Sequence, residues 1–145
     1  MAKKIKAYFM RVDKESGKPF KGYMGEIEDT LEAEQLYVGF GRKKYIDVLA
    51  ITDEIDIVFS DEGKLLKYPL NRAVVREGRV SDIIAGNILC VRHDNEGAFT
   101  SILESDIEVI EKILQPILFV AGNVVSTINS DFLPEWSEEI SDEEE

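Results

Sequence analysis

Residues 45–68 read YIDVLAITDEIDIVFSDEGKLLKY, and the reading of this stretch decides the fold. Residues 45–52 and 55–59 are runs rich in β-branched and aliphatic side chains. In the second run Ile55, Ile57 and Phe59 recur at the period of two that a strand requires. Ser60-Asp61-Glu62-Gly63 is a tight-turn sequence in which Gly63 suits a positive φ. Residues 64–68 (KLLKY) are expected to pair back as a hairpin before Pro69, which cannot donate to a ladder. Reversals this short make antiparallel neighbours.

Outward from that segment the same grammar repeats. Residues 5–12 (IKAYFMRV) and 22–28 (GYMGEIE) read as strands around the turn-rich residues 13–20. A helix over residues 31–38 opens at Asp29 or Thr30, where Asp29 and Glu32 resemble a capping box, and it ends at Gly39-Phe40-Gly41. Its periodicity is imperfect: the expectation is a buried set of Leu31, Ala33 and Gln35 or Leu36, with Val38 only partly covered. Residues 88–92 and 98–102 form a second hairpin about Asp94-Asn95-Glu96-Gly97. Ser105 and Glu108 make a capping box for a helix over residues 106–115. There Ile107, Ile110, Leu114 and Ile117 share an apolar face opposite Glu104, Glu108 and Glu111, and Pro116 ends or kinks the helix. Residues 117–132 are apolar enough for the core, as helix or as strand.

The 145 residues suffice for one ordinary core. With 17 Lys and Arg against 29 Asp and Glu the formal charge is −12, and the acid is uneven. Residues 94–145 hold 14 acidic side chains and a single basic one, Lys112. Seven of the 14 lie in residues 135–145, which carry no basic residue and are expected to be a disordered tail. The predicted organisation is one α+β domain over residues 1–134, a mostly antiparallel sheet of hairpins packed against two or three helices, followed by the acidic tail at 135–145.

This charge disfavours direct binding to nucleic acid or to an anionic membrane. The N-terminus has no apolar segment behind its lysines and no run is long enough to span a bilayer, so the expectation is a soluble, cytoplasmic protein. A single cysteine, Cys90, forbids an intramolecular disulfide and a multi-cysteine zinc site. Cys90, His93, Asp94 and Glu96 are metal-ligand types, but Cys90 and His93 fall on opposite faces of a strand and no second imidazole is present. No metal and no cofactor is expected. Gly39-Phe40-Gly41-Arg42-Lys43-Lys44 is glycine-rich and basic without the phosphate-loop pattern, and reads as a helix cap and a solvated loop.

No catalytic residue is assigned: His93 alone makes no triad, and the carboxylates lie on the polar side of a helix. The candidate binding residues are Glu104, Asp106, Glu108 and Glu111, which together could face a basic partner, and the Asn71-Arg72 pair. Arg72 is able to grip a carboxylate or phosphate or to anchor a turn.

Several segments together resemble one known family. Glu28-Asp29-Thr30-Leu31-Glu32-Ala33 is similar to its EIxNTLEAxQ segment. Asp61 to Leu66, Pro69-Leu70-Asn71-Arg72 and Asp82-Ile83-Ile84-Ala85-Gly86 are similar to NEEGKLxxxPxNR and DIIxGTF. Residues 94–102 are similar to its closing GEFTSL. The family is domain of unknown function thirty-eight forty-six, found in phages, plasmids and conjugative elements of Gram-positive bacteria. The resemblance spans roughly residues 5–115. It departs at Asn87-Ile88, where the family has Thr-Phe, at an insertion-like stretch over 74–80, and after Gln115. It implies a mobile-element origin and an intracellular setting, and carries no active site.

Three functions compete. The first is a non-enzymatic accessory protein that binds a host-encoded or element-encoded protein. The second is an acidic, nucleic-acid-mimicking inhibitor of a defence nuclease such as a CRISPR or restriction enzyme, whose association would be salt-sensitive. The third is a small-ligand binder or enzyme using Arg72, Lys64 and the loop near Gly41.

Overall fold

The computed structural model describes residues 3–120 and 123–137. The acidic residues 138–145, most of the expected tail, lie outside the described residues. The elements run in the order β1 (Lys4–Met10), β2 (Tyr23–Glu28), α1 (Leu31–Val38), β3 (Ile46–Ala50), β4 (Ile55–Ser60), β5 (Leu70–Arg76), β6 (Arg79–Ala85), β7 (Ile88–His93), β8 (Phe99–Thr100), α2 (Asp106–Ile113), β9 (Leu114–Gln115), β10 (Ile117–Val120) and β11 (Asn123–Thr127). A short 3-10 turn, Ser130–Phe132, follows. Every described strand pairing is antiparallel, so the α+β expectation holds. No described helix is long and apolar enough to cross a membrane.

The main sheet has the order β2-β1-β7-β4-β3, with β8 paired to β7 beyond the end of β1. Its central strands are apolar on both sides because both sides are covered. Ile5, Ala7, Phe9, Val58, Leu89 and Val91 point to the layer that holds Val38 of α1. Tyr8, Met10, Ile55, Ile57, Ile88 and Cys90 point the other way, to Val74, Ile84, Ile110 and Leu114 of the smaller β6-β5-β9 sheet and α2. The architecture is therefore α1, main sheet, then small sheet with α2.

Four expectations are corrected. Residues 64–68 form no strand. Successive turn hydrogen bonds, Leu66 N–H to Glu62 O at 2.8 Å and Tyr68 N–H to Gly63 O at 2.9 Å, coil the segment instead, and Leu65 is exposed. The hairpin in that region is β5-β6, across the stretch read as insertion-like, and it closes on Glu77-Gly78 with φ of 53° and 76°. Pro69 precedes a strand where it was expected to stop one.

The second helix ends at Ile113, not at residue 115. Pro116 pushes Gln115 out of the helical region, and Leu114–Gln115 pairs with Val74 and Ala73. The helix face of α1 differs too: Val38 is fully buried, whereas Leu31 and Leu36 are exposed. Residues 117–132, open between helix and strand, contain the β10-β11 hairpin.

Each helix opens at an expected position, Thr30 for α1 and Ser105 for α2, but only Thr30 makes a side-chain cap bond. Thr30 is the N-cap of α1, and its hydroxyl accepts from Ala33 N at 3.1 Å. Ser105 makes no side-chain cap bond. Asp106 accepts from Leu103 N at 2.8 Å instead.

Candidate functional site

The Asn71-Arg72 pair sits inside the molecule, with both side chains fully buried on β5. Asn71 Nδ2 donates to the carbonyls of Met10 and Gly86, each at 2.8 Å, and its Oδ1 accepts from Arg72 Nη1 at 2.7 Å. Arg72 Nη2 donates to Phe20 O at 2.7 Å, which pins the end of the first loop. Burial lowers the guanidinium's affinity for its proton, while Glu111 acts in the opposite sense. These residues join β1, β5 and the start of β7, and the structure brings neither to the surface.

The four acidic candidates divide. Asp106 meets Arg92 through two hydrogen bonds of 2.7 Å, and this guanidinium holds its carboxyl below the usual carboxylate range. Arg92 also reaches Glu54 at 2.8 Å. Glu111 accepts from Tyr8 Oη at 2.6 Å, and its second oxygen is buried with no partner. Glu104 and Glu108 are exposed. The acid offered to a partner by α2 and its approach is thus Glu104 and Glu108.

Cys90 is fully buried, and desolvation pushes its thiol well up. His93 Nδ1 lies 3.0 Å from Asp56 Oδ2 at the end of β7. Lys64 pairs with Asp82 at 3.2 Å on the rim of the small sheet, apart from Arg72.

One groove gathers what no local pattern announced. It has a volume of about 800 Å³ and runs between the first loop, the outer side of α1 and the loop after it. Phe9, Ile27, Leu36, Tyr37 and Phe40 make its apolar walls. Arg11, Lys14 and Arg42 line it as well, with Glu15 and Glu26. Strand alternation puts Arg11 on the same side as Phe9.

The Arg11 guanidinium carbon lies 4.1 Å from the Trp136 ring centroid and 5.0 Å from that of Tyr37, and Nε donates to Tyr23 Oη at 2.6 Å. Lys14 Nζ lies 5.7 Å from the Phe40 ring and 5.9 Å from Tyr68. Phe40 packs edge-on against Tyr68, with centroids 4.9 Å apart, and holds a φ of 55° that is uncommon for a bulky residue. Gly39 permits the fold of this loop, because a Cβ there would fall 1.8 Å from Arg42 O. Asn87 anchors the floor: Oδ1 accepts from Val12 N at 3.0 Å and Nδ2 donates to Tyr37 O at 3.2 Å.

Gly39-Phe40-Gly41-Arg42 is the helix cap and loop expected from its glycines, with Gly39 as the cap. The meeting of this loop with Arg11 and Lys14 is not legible in the local pattern. The available signal was the basic residue two places after Phe9.

No curated protein and no solved structure matches the chain. Residues 9–115 match the family model of a domain of unknown function (DUF3846), which spans both sheets, α1 and α2, and the chain belongs to that family.

Proposed function

We propose that this is a non-enzymatic accessory protein of a phage or other mobile element that works in the cytoplasm by binding a protein partner. The mobile-element setting is an extension of the family resemblance. The observation that carries the binding reading is the β3 edge. Among the described residues β3 pairs only with β4, so no strand covers its outer side, where side chains meet Val48 N (Asp47) and Ala50 O (Arg76) and leave the other outward groups open. Edge strands are ordinarily guarded by charge, proline or a cover. The opposite edge, β2, carries Glu26 and Glu28, whereas β3 reads IDVLA with one charge, Asp47, whose carboxylate caps Val48 N at 2.8 Å. Tyr45 and Val48 are 73% and 43% exposed beside it. An extended partner segment adding there as a strand fits this edge, and a basic segment suits the acidic chain.

A second reading is the acidic, nucleic-acid-mimicking inhibitor of a defence nuclease. It keeps support from the exposed Glu104 and Glu108 and from the acidic sequence 138–145.

The test is affinity capture from a host lysate with the full chain, with V48P on the β3 edge, and with the E104Q/E108Q double variant, each at low and high salt. A partner lost with V48P and retained at high salt supports the edge. A nuclease lost with E104Q/E108Q and released by salt supports mimicry instead.

A further inference from the structure

We propose that the groove between the first loop and α1 is a binding site for a small nucleoside phosphate, with the phosphate held by Arg11, Lys14 and Arg42 and the base lying against Phe40 and Leu36. The volume of about 800 Å³ is in the range of small-ligand sites, and apolar and polar groups line it in about equal measure.

Three cations line the groove in a chain of formal charge −12, and among the described residues none of them forms an ion pair. Arg11 spends only Nε, on Tyr23. Aromatic rings hold the plane of its guanidinium, so both terminal amino groups are pre-positioned donors. Lys14 and Arg42 belong to one end of the site. The Lys14 ammonium approaches the Phe40 and Tyr68 rings, and the Arg42 charge is felt at the Tyr68 hydroxyl, whose proton affinity it lowers against the effect of burial.

Phe40 is the stacking surface. Its strained backbone conformation and its T-shaped contact with Tyr68 fix a half-buried ring in the wall, and a planar base would meet the face that the Lys14 ammonium does not cover. Leu36, an exposed leucine on α1, extends that wall. Glu15 and Glu26 at the same rim set the ligand class further. They suit the amino edge of a base and repel a polyanion, which favours a mononucleotide over a nucleic-acid strand.

The test is calorimetric titration of the full chain with AMP, with adenosine and with inorganic phosphate in parallel. Emission from Trp136, the one tryptophan, follows Arg11 independently. The expected result is saturable AMP binding, at least about tenfold tighter than either fragment, with each half of the ligand adding to the other. K14A and R42A, at exposed positions, should each weaken AMP by roughly three- to tenfold with an unchanged circular dichroism melt. F40A should cost about tenfold or more, judged against the same melt. No saturation at millimolar AMP overturns the site. Phosphate binding as tight as AMP removes the base from the proposal, and unchanged binding in both K14A and R42A removes the groove.

Discussion

Tyr8 on β1 donates a 2.6 Å hydrogen bond to Glu111 on α2, joining residues 103 apart through the layer between the main sheet and α2. Burial and the adjacent carboxylate both drive the phenol's proton affinity up, so Tyr8 stays a donor at every physiological pH. The other Glu111 oxygen is buried without a partner, and the Arg72 guanidinium supplies only a field there, since its Nε is also without a partner.

Y8F should therefore destabilise the fold by about 1–3 kcal/mol, the cost of leaving a carboxylate oxygen unmet where water cannot replace the donor. E111Q keeps an acceptor for Tyr8 and should cost less. Urea unfolding of both variants and the double variant checks this, and additive effects would show that the bond contributes nothing.

R72A should be the more damaging change, by roughly 3 kcal/mol or more, because it opens a cavity and strips donors from the Phe20 and Asn71 oxygens together. R72K keeps the charge but lacks the planar fork that serves Asn71 and Phe20 at once, so it should recover little of the loss. Chemical denaturation compares the two. Full rescue by lysine would mean that charge alone matters.

Glu34 is buried on α1 and its carboxyl is pushed up to about 7, first by burial and then by the neighbouring Asp29. The folded value exceeds the unfolded one, so this stability is complete below about pH 4.3 and is lost as pH rises through about 7. E34Q should raise the melting temperature at pH 8 by an amount equivalent to about 1–2 kcal/mol, and change little at pH 5. An equal effect at both pH values would refute the assignment.

Asp106 titrates in the opposite sense. Its pairing with Arg92 depresses the folded value, so its contribution is present above the unfolded value of about 3.9 and fades as pH falls through the folded one. D106N should lower stability at pH 7 by about 1–3 kcal/mol, and the gap to the natural chain should narrow on the acid side, read from melts between pH 7 and pH 2.5.

What the sequence disclosed followed from which forces are local. β1, β4 and β7 were legible because each is apolar on two faces and bounded by turn residues. The β5-β6 hairpin was not. Its two central turn residues are Glu77 and Gly78, and glutamate is not a residue that announces positive φ. Residues 64–68 misled for the converse reason: two leucines between lysines look like a strand, but Leu65 points to solvent.

Ser105 stands at the N-cap of α2 as expected but makes no cap bond there, and the start of the helix is tied instead by Asp106 to Arg92, fourteen residues upstream. The groove was illegible since its residues come from the end of β1, the first loop, β2, α1 with its following loop, and Asn87. Asn87 supplies an amide that bonds both Val12 and Tyr37.

The central position of β7 has a consequence for how the chain acquires its shape. β7 is bonded to β1, β4 and β8, and its pairing of Tyr8 with Cys90 spans more than half the chain. Until residues 88–93 leave the ribosome, the β1-β2 ribbon and the β3-β4 hairpin have no strand between them and share only the cover of α1. The nascent chain then holds two half-exposed ribbons joined through α1 alone. Assembly is gated by one late strand, which places refolding among the slow, non-local topologies, on the order of milliseconds to seconds. A chain truncated before β7 should persist as ribbons with no strand between them and not as a smaller version of this fold.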